Sequence, residues 1–282
     1  MLRKLSIVLV LFTGVQMLYA QGWNQKKGEG YFQLGERYLS SPRLFFEKER
    51  VVTNENLTSL TTEIYGEYGL SDKLMLIAYV PVISNRIDID ESMRVIPNEI
   101  DVDNENSLFG LGEIQFGGAY SLVDKNSFVM NVYGLLSFPT MSKETYFGLR
   151  TSDEEASQQV KVGIGYGGFY PIYTNASLGF HNRNKNYSDA FIYSYAVGVR
   201  FFKDFIISIK VFGQHSIENG SSSAKNDLVL YANNAEYIAY GPELIYEYKE
   251  QIGVFASFMA GTSARNVQGA PTTNFGLYYK LK

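Results

Sequence analysis

The chain has 282 residues, a formal net charge of −4 and no cysteine, with 22 Tyr, 19 Phe and 26 Gly. An acidic balance lacks the basic face of a nucleic-acid binder, and an exported domain without disulfides must find its stability in a large core or in a membrane. The mean hydropathy of −0.12 is compatible with a soluble protein and equally with a barrel whose strands are apolar on one face only.

The first twenty residues, MLRKLSIVLVLFTGVQMLYA, place Arg3 and Lys4 before a mostly apolar run from Leu5 to Phe12, and end on Ala20 before Gln21. A charged start, a short apolar stretch and a small exit residue predict a secretory signal peptide over residues 1–20. The run is too short to span as a helix, which takes about twenty apolar residues. No Cys stands at the cut, which argues against lipoprotein processing. Residues 21–282 read as one domain, with no linker and no repeat beyond a hairpin period.

From Gly30 onward the chain divides into runs of about ten residues that alternate at period two, as strands facing lipid on one side and a lumen on the other must. In Leu108 to Leu122, one face carries Leu108, Ile114, Phe116, Tyr120 and Leu122, and the other Glu113, Gln115 and Ser121. In Phe205 to Gly213, Ile207, Ile209 and Val211 oppose Ser208 and Lys210; in Tyr237 to Tyr248, Ile238, Tyr240, Leu244 and Tyr246 oppose Glu243 and Glu247. The pattern predicts twelve strands, starting near Glu29, Leu57, Leu74, Leu108, Ser127, Gln158, Tyr173, Ala190, Phe205, Ala235, Ile252 and Thr273. Their connections alternate short (Ser71 to Lys73, Val123 to Asn126, Tyr170 to Ile172, Phe202 to Asp204, Lys249 to Gln251) and long (Ser40 to Asn56, Asn85 to Ser107, Thr140 to Ser157, His215 to Asn234, Ser263 to Thr272), with a brief one around Asn184 to Ser188 on the long side. The expected fold is therefore all-β: a transmembrane antiparallel up-and-down β-barrel of about 12 strands, with short periplasmic turns and long extracellular loops.

Tyr65, Tyr68, Tyr166, Tyr170, Tyr246, Tyr248, Tyr278 and Tyr279 fall near predicted strand ends. There an amphipathic ring can keep its body in lipid and its hydroxyl among headgroups. The final NFGLYYKLK is a closing strand that must pair with the first to remove the sheet edge.

Two segments carry a family resemblance. Gly66 to Val82, GEYGLSDKLMLIAYVPV, is a strand, a Gly-Leu-Ser-Asp turn and a strand ending in proline, and Gly110 to Leu122, GLGEIQFGGAYSL, follows one loop later. Together they resemble the outer-membrane proteins of the meta-pathway of phenol degradation family, itself similar in outline to fatty-acid and aromatic-hydrocarbon channels. The resemblance implies a barrel and the passage of small hydrophobic molecules, and supplies no catalytic or ligand residues. The hydrocarbon channels have an N-terminal plug; with about eight residues, Gln21 to Gly28, before the first strand, that device is expected to be missing.

Alternation places Arg37, Glu63, Glu67, Glu113, Lys161, Arg183, Arg200, Lys210, Glu243, Glu247 and Lys280 on the lumen face. Barrels of about eight strands are filled by side chains and those of about sixteen leave a channel, so twelve lies between. These charges form either a polar constriction that selects solutes or a self-neutralising plug. Lys210, with Arg37 or Lys280 near the seam and also Arg200, are the expected partners of Glu243 and Glu247. No catalytic set is expected: His215 and Ser216 are adjacent, so on a regular strand they point to opposite faces. His181 has no neighbouring ligand set, and no metal or cofactor is expected. An acidic segment with Asp88, Asp90, Glu91, Glu99, Asp101, Asp103 and Glu105 offers oxygen ligands of the kind calcium accepts, but lacks the Gly and distal Glu of an EF-hand; it reads as a solvated loop.

The sequence thus points to a bacterial outer-membrane barrel, exported through the periplasm with loss of its leader, that acts as a passive channel for small molecules, hydrophobic ones included. A non-transporting scaffold or surface-binding component of an envelope complex is the rival, and a lipid-modifying enzyme a third reading. The partners are membrane lipid and lipopolysaccharide, a small-molecule solute and, in the rival reading, an envelope protein; no nucleic acid is expected.

Overall fold

The computed structural model describes residues 23–88, 105–140, 144–221 and 228–282. The leader and the acidic residues from Ile89 to Asn104 lie outside the described residues. The alternating runs form β1 (Gly30–Phe46), β2 (Glu49–Gly69), β3 (Leu74–Asp88), β4 (Ser107–Leu111), β5 (Ile114–Lys125), β6 (Phe128–Phe138) and β7 (Ser157–Phe169). They continue as β8 (Ile172–Arg183), β9 (Ala190–Phe201), β10 (Phe205–Ser216), β11 (Glu236–Tyr248), β12 (Ile252–Arg265), β13 (Val267–Gln268) and β14 (Thr272–Leu281). Each barrel strand pairs antiparallel with its neighbours in chain order, and β1 pairs with both β2 and β14, so the sheet closes on itself. β4 and β5 together make one wall strand and β13 is a short addition to the outer end of β1, which gives a closed barrel of twelve strands.

Side chains obey the period of two. Phe32, Leu34 and Tyr38 on β1, Ile207 and Ile209 on β10, and Phe275, Leu277 and Tyr279 on β14 are exposed on the outer wall, while Gln33, Ser208, Glu247 and Tyr278 are buried inside. Glu36 is an exception on the outer wall, where Thr62 of the next strand donates to it at 2.7 Å. The short turns are tight because pairs of residues adopt left-handed backbone: Asn126 and Ser127, Phe202 and Lys203, and Lys249 and Glu250 all have φ between 48° and 65°. Two successive positive φ values match the right-handed twist of the flanking strands.

Four features differ from the expectation. The segment Ser40 to Asn56, expected as a loop, is largely a hairpin: β1 and β2 run on as a ladder to Phe46 and Glu49, around a turn with Glu47 at φ 52°. Val51 and Val52 favour an extended chain even without a membrane around it. The strand expected to start at Leu108 is broken by a bulge. Val82 pairs with Leu111 but Tyr79 with Gln115, one residue out of step, opposite Pro81, which has no N–H to donate. Gly112 instead donates to the Pro81 carbonyl at 2.8 Å. A one-residue slip exchanges the faces, so Leu108 turns inward and packs against Leu57, Ile87, Phe147 and Leu149 rather than facing lipid with Phe116.

The inner face of β3 is also apolar. Met75, Ile77 and Tyr79 form a cluster with Tyr65, Ala119, Tyr133 and Leu135 that fills the side of the barrel under β2 to β6. Finally, two of the tyrosines expected in the lipid girdle, Tyr65 and Tyr278, are buried inside; Tyr68, Tyr246, Tyr248 and Tyr279 face outward.

The outer wall generates a test. Ile209→Arg at mid-bilayer depth should cost assembly about 2–4 kcal/mol, whereas Ser257→Lys, directed into the interior beside Glu243, should cost far less. Folding titrations into lipid vesicles measure both, and equal penalties would contradict the facing seen here.

Candidate functional site: the lumen

Because β2 to β6 fill one side, the free space lies along β8 to β14 and β1. A cavity of about 580 Å³ occupies the short-turn half of the lumen. Ile206, Phe212, Ile245, Phe255 and Met259 form an apolar wall, alongside Asn175, Ser194, Ser257 and Asn274 and the charged groups described below. Small inner residues make the room. The Tyr278 ring lies over Gly253 and the Tyr173 ring over Gly198, where an added methyl would meet ring atoms at 2.2 Å and 2.4 Å. A second, smaller space of about 110 Å³ lies towards the long loops, with Asn85, Glu113, Asp153, His181, Arg183 and Tyr231 on its wall.

Arg37, Glu63, Glu67, Lys161, Arg183, Arg200, Lys210, Glu243, Glu247 and Lys280 occupy inner-face positions of their strands, and Glu113 turns inward at the bulge. Strand register brings most of them together. At the short-turn end, buried Glu247 accepts from Arg200 Nη2 at 2.6 Å, from Tyr278 at 2.6 Å and from Lys280. Glu67 accepts from Tyr65 and, at 2.8 Å, from Gln25. In the middle, Lys210 donates to Glu243 at 2.6 Å. Arg37 lies 3.4 Å from Glu63, which also accepts from Tyr79 at 3.1 Å. Lys210, Arg200 and Lys280 thus meet the two β11 carboxylates, and Arg37 turns to the adjacent strand instead. Lys161 is buried, 5.8 Å from the Tyr133 ring centroid. Ser157 donates to Glu113 at 3.3 Å and bonds His181 Nε2 at 2.8 Å.

Three contributions were not legible in the pattern. Trp23, Asn24 and Gln25 line the larger cavity at its short-turn end. Asn24 is tied to the Asp72 carbonyl at 3.0 Å, so even the short N-terminal segment enters the lumen that it was expected to leave open. The loop between β6 and β7 folds inward, where Arg183 binds Asp153 at 2.7 Å and Glu155 at 2.5 Å. On the β10–β11 connection, the described residues 228–232 pack inward at the long-loop end. There Leu228 and Leu230 join the Leu57 and Phe147 cluster and Val229 packs with Leu44 and Ala232. Tyr231 donates to the Thr151 carbonyl at 2.8 Å. Val229, a β-branched residue, is held at φ 48°, a conformation that persists only where packing over-determines it.

Ser216 and His215 diverge, as adjacent strand residues must. Ser216 is buried and donates to Asn234 at 3.1 Å, whereas His215 is exposed, 3.2 Å from Glu236. Of the acidic segment, Asp88 pairs with Arg86 at 3.4 Å and Glu105 accepts from the Tyr146 N–H.

On the inward loop, burial pushes the Glu155 carboxyl up to about 7; Asp153 acts in the same sense, and Arg183 opposes both. One Glu155 oxygen is buried without a hydrogen-bond partner. Burial likewise raises the Tyr231 hydroxyl.

A family model described as "Putative MetA-pathway of phenol degradation" matches residues 40–276. The chain belongs to this family. Among solved structures, the barrel is similar to the COG4313 outer membrane channel from Pseudomonas putida F1, with a TM-score of 0.67 over 95% of this chain and 100% of that one at 8% identity. It is also similar to the translocator domain of autotransporter NalP from Neisseria meningitidis, at TM-score 0.51, 7% identity and 90% of both chains. A KdgM porin in complex with disordered oligogalacturonate matches at TM-score 0.50 and 7% identity, over 88% of this chain and 98% of that one. At such identities the likeness is one of fold: a member of the family built as an outer-membrane barrel. No curated protein matches the sequence.

Two outcomes follow from the lumen chemistry. Glu247→Gln strips Arg200 and Lys280 of their shared countercharge. Its cost should fall below the roughly 3–5 kcal/mol of a fully buried pair, because both cations are partly exposed and water screens them; urea unfolding measures it. Glu155 has its folded-state pKa raised above the usual 4.5. Its stabilisation is therefore complete below about pH 4.5 and lost as the pH rises through about 7. The β6–β7 loop should be better protected from amide exchange at pH 6 than at pH 8, after correction for intrinsic rates, and Glu155→Gln should remove the difference. Equal protection of the unmodified protein at both values would rule this out.

Proposed function

We propose that the protein is a passive outer-membrane channel for small molecules, exported with loss of residues 1–20 and carrying no catalytic machinery. The observation that supports the reading best is the cavity of about 580 Å³ with an apolar wall and self-paired charges. A self-neutralised lining beside Phe212, Phe255 and Met259 suits molecules with an apolar body better than ions, and the family's description, which names phenol degradation, agrees with that class. The exposed aromatic wall would meet lipid and, in the outer leaflet, lipopolysaccharide.

The packing of Leu228 to Ala232 against Leu57, Phe147 and Leu44 on the long-loop side favours a second reading, a closed scaffold whose loops bind an envelope partner. Planar-bilayer conductance separates the two. The channel reading expects small discrete openings from the full-length mature chain, and larger ones when residues 228–232 are replaced by a Gly-Ser segment of equal length. A silent protein that stays silent after the replacement would favour the scaffold.

A further inference from the structure

The larger and smaller cavities have two lining residues in common, Arg37 and Thr272. Arg37 is therefore the charged side chain at the junction between the two spaces, among the described residues. It projects inward from β1, next to Thr61 of β2 on one side and Asn274 of β14 on the other, and Tyr231 of the inward loop lines the space beyond it. Its acidic neighbour is Glu63, at 3.4 Å. The other charge pairs of the larger cavity are tighter: Lys210 with Glu243 and Arg200 with Glu247 are both at 2.6 Å.

We infer that Arg37, balanced by Glu63, is the specificity-determining residue of the lumen, and that the pair selects solutes without net charge. The inference rests on the channel reading. An anion reaching the junction meets Glu63 as well as Arg37, and a cation meets Arg37 as well as Glu63. Neither gains a full countercharge in exchange for its lost hydration, whereas a neutral molecule has no such loss to recover. Removing one member unbalances the junction in a sign that can be stated in advance.

The experiment is the reversal potential of the full-length mature protein in a planar bilayer under a potassium chloride gradient. Arg37→Gln leaves Glu63 alone and should raise the cation-over-anion permeability ratio several-fold. Glu63→Gln should lower it by a similar factor, and the double variant should return near the starting ratio. Lys282→Gln makes the same charge change as Arg37→Gln at an exposed pair with Glu250 outside the lumen and should leave the ratio unmoved. A purely structural role would not produce opposite signs in two variants. If Arg37→Gln does not assemble, as judged by heat-modifiable migration, Glu63→Gln and the charge-preserving Arg37→Lys decide the matter. Shifts that are absent or of one sign, in a protein that conducts, overturn the inference and leave the channel reading standing. Absence of conductance in the unmodified protein and in the loop replacement overturns both.

Discussion

In the hydrocarbon of a bilayer no water is at hand to satisfy an N–H or a C=O, and each one left unpaired costs several kcal/mol. For this chain, with no apolar helix long enough to cross among its described residues, the constraint has one solution: every wall strand must have a neighbour on both sides. The seam between β1 and β14 meets it with ten registered pairs, from Gly30 with Leu281 to Leu39 with Thr272. The rest of the architecture depends on that seam. Alternation then sends Phe32, Leu34 and Tyr38 out and Gln33 and Arg37 in, and closure gives the inward set an interior to occupy.

An interior of twelve strands is too wide to be filled by its wall alone, and the protein fills it unevenly. The apolar inner face of β3, with Tyr65, Tyr133 and Leu135, closes one side. Two loops and the N-terminal segment enter from the ends, and the remaining space lies along β8 to β14. The charges there are arranged in pairs and triads because an isolated carboxylate away from water is costly. Glu247 shows how strictly this holds: a side chain 1% exposed accepts from Arg200 on β9 and from Tyr278 and Lys280 on β14.

The wall was legible in the sequence because its cause is local. A period of two follows from the pleat, and eleven of the twelve wall strands start within one residue of where alternation places them, one of them divided further on by the bulge between β4 and β5; β2, which runs on into the hairpin, begins earlier. Where the reading failed, a distant residue had intervened. Pro81 on β3 breaks the ladder to its neighbour and reverses Leu108. Tyr278 and Tyr65 have the residue type and position of girdle tyrosines. Which face they take depends on parity within the strand, and their hydroxyls go to Glu247 and Glu67.

By itself the sequence determined the class of fold, the number of wall strands and the positions at which most of them begin, since each follows from spacing along the chain. The tertiary structure alone decided which charge meets which: Arg37 with Glu63, Lys210 with Glu243, and Arg183 with two carboxylates of the β6–β7 loop. Pairing across a lumen depends on register, on the bulge and on how far loops fold inward, and these are set by contacts between residues far apart in the chain. For the same reason the segment around Val229 reads in sequence only as part of a long extracellular connection, yet Leu228 to Ala232 pack inward, where Leu57, Phe147 and Leu44 give its leucines and valine an apolar surface to cover.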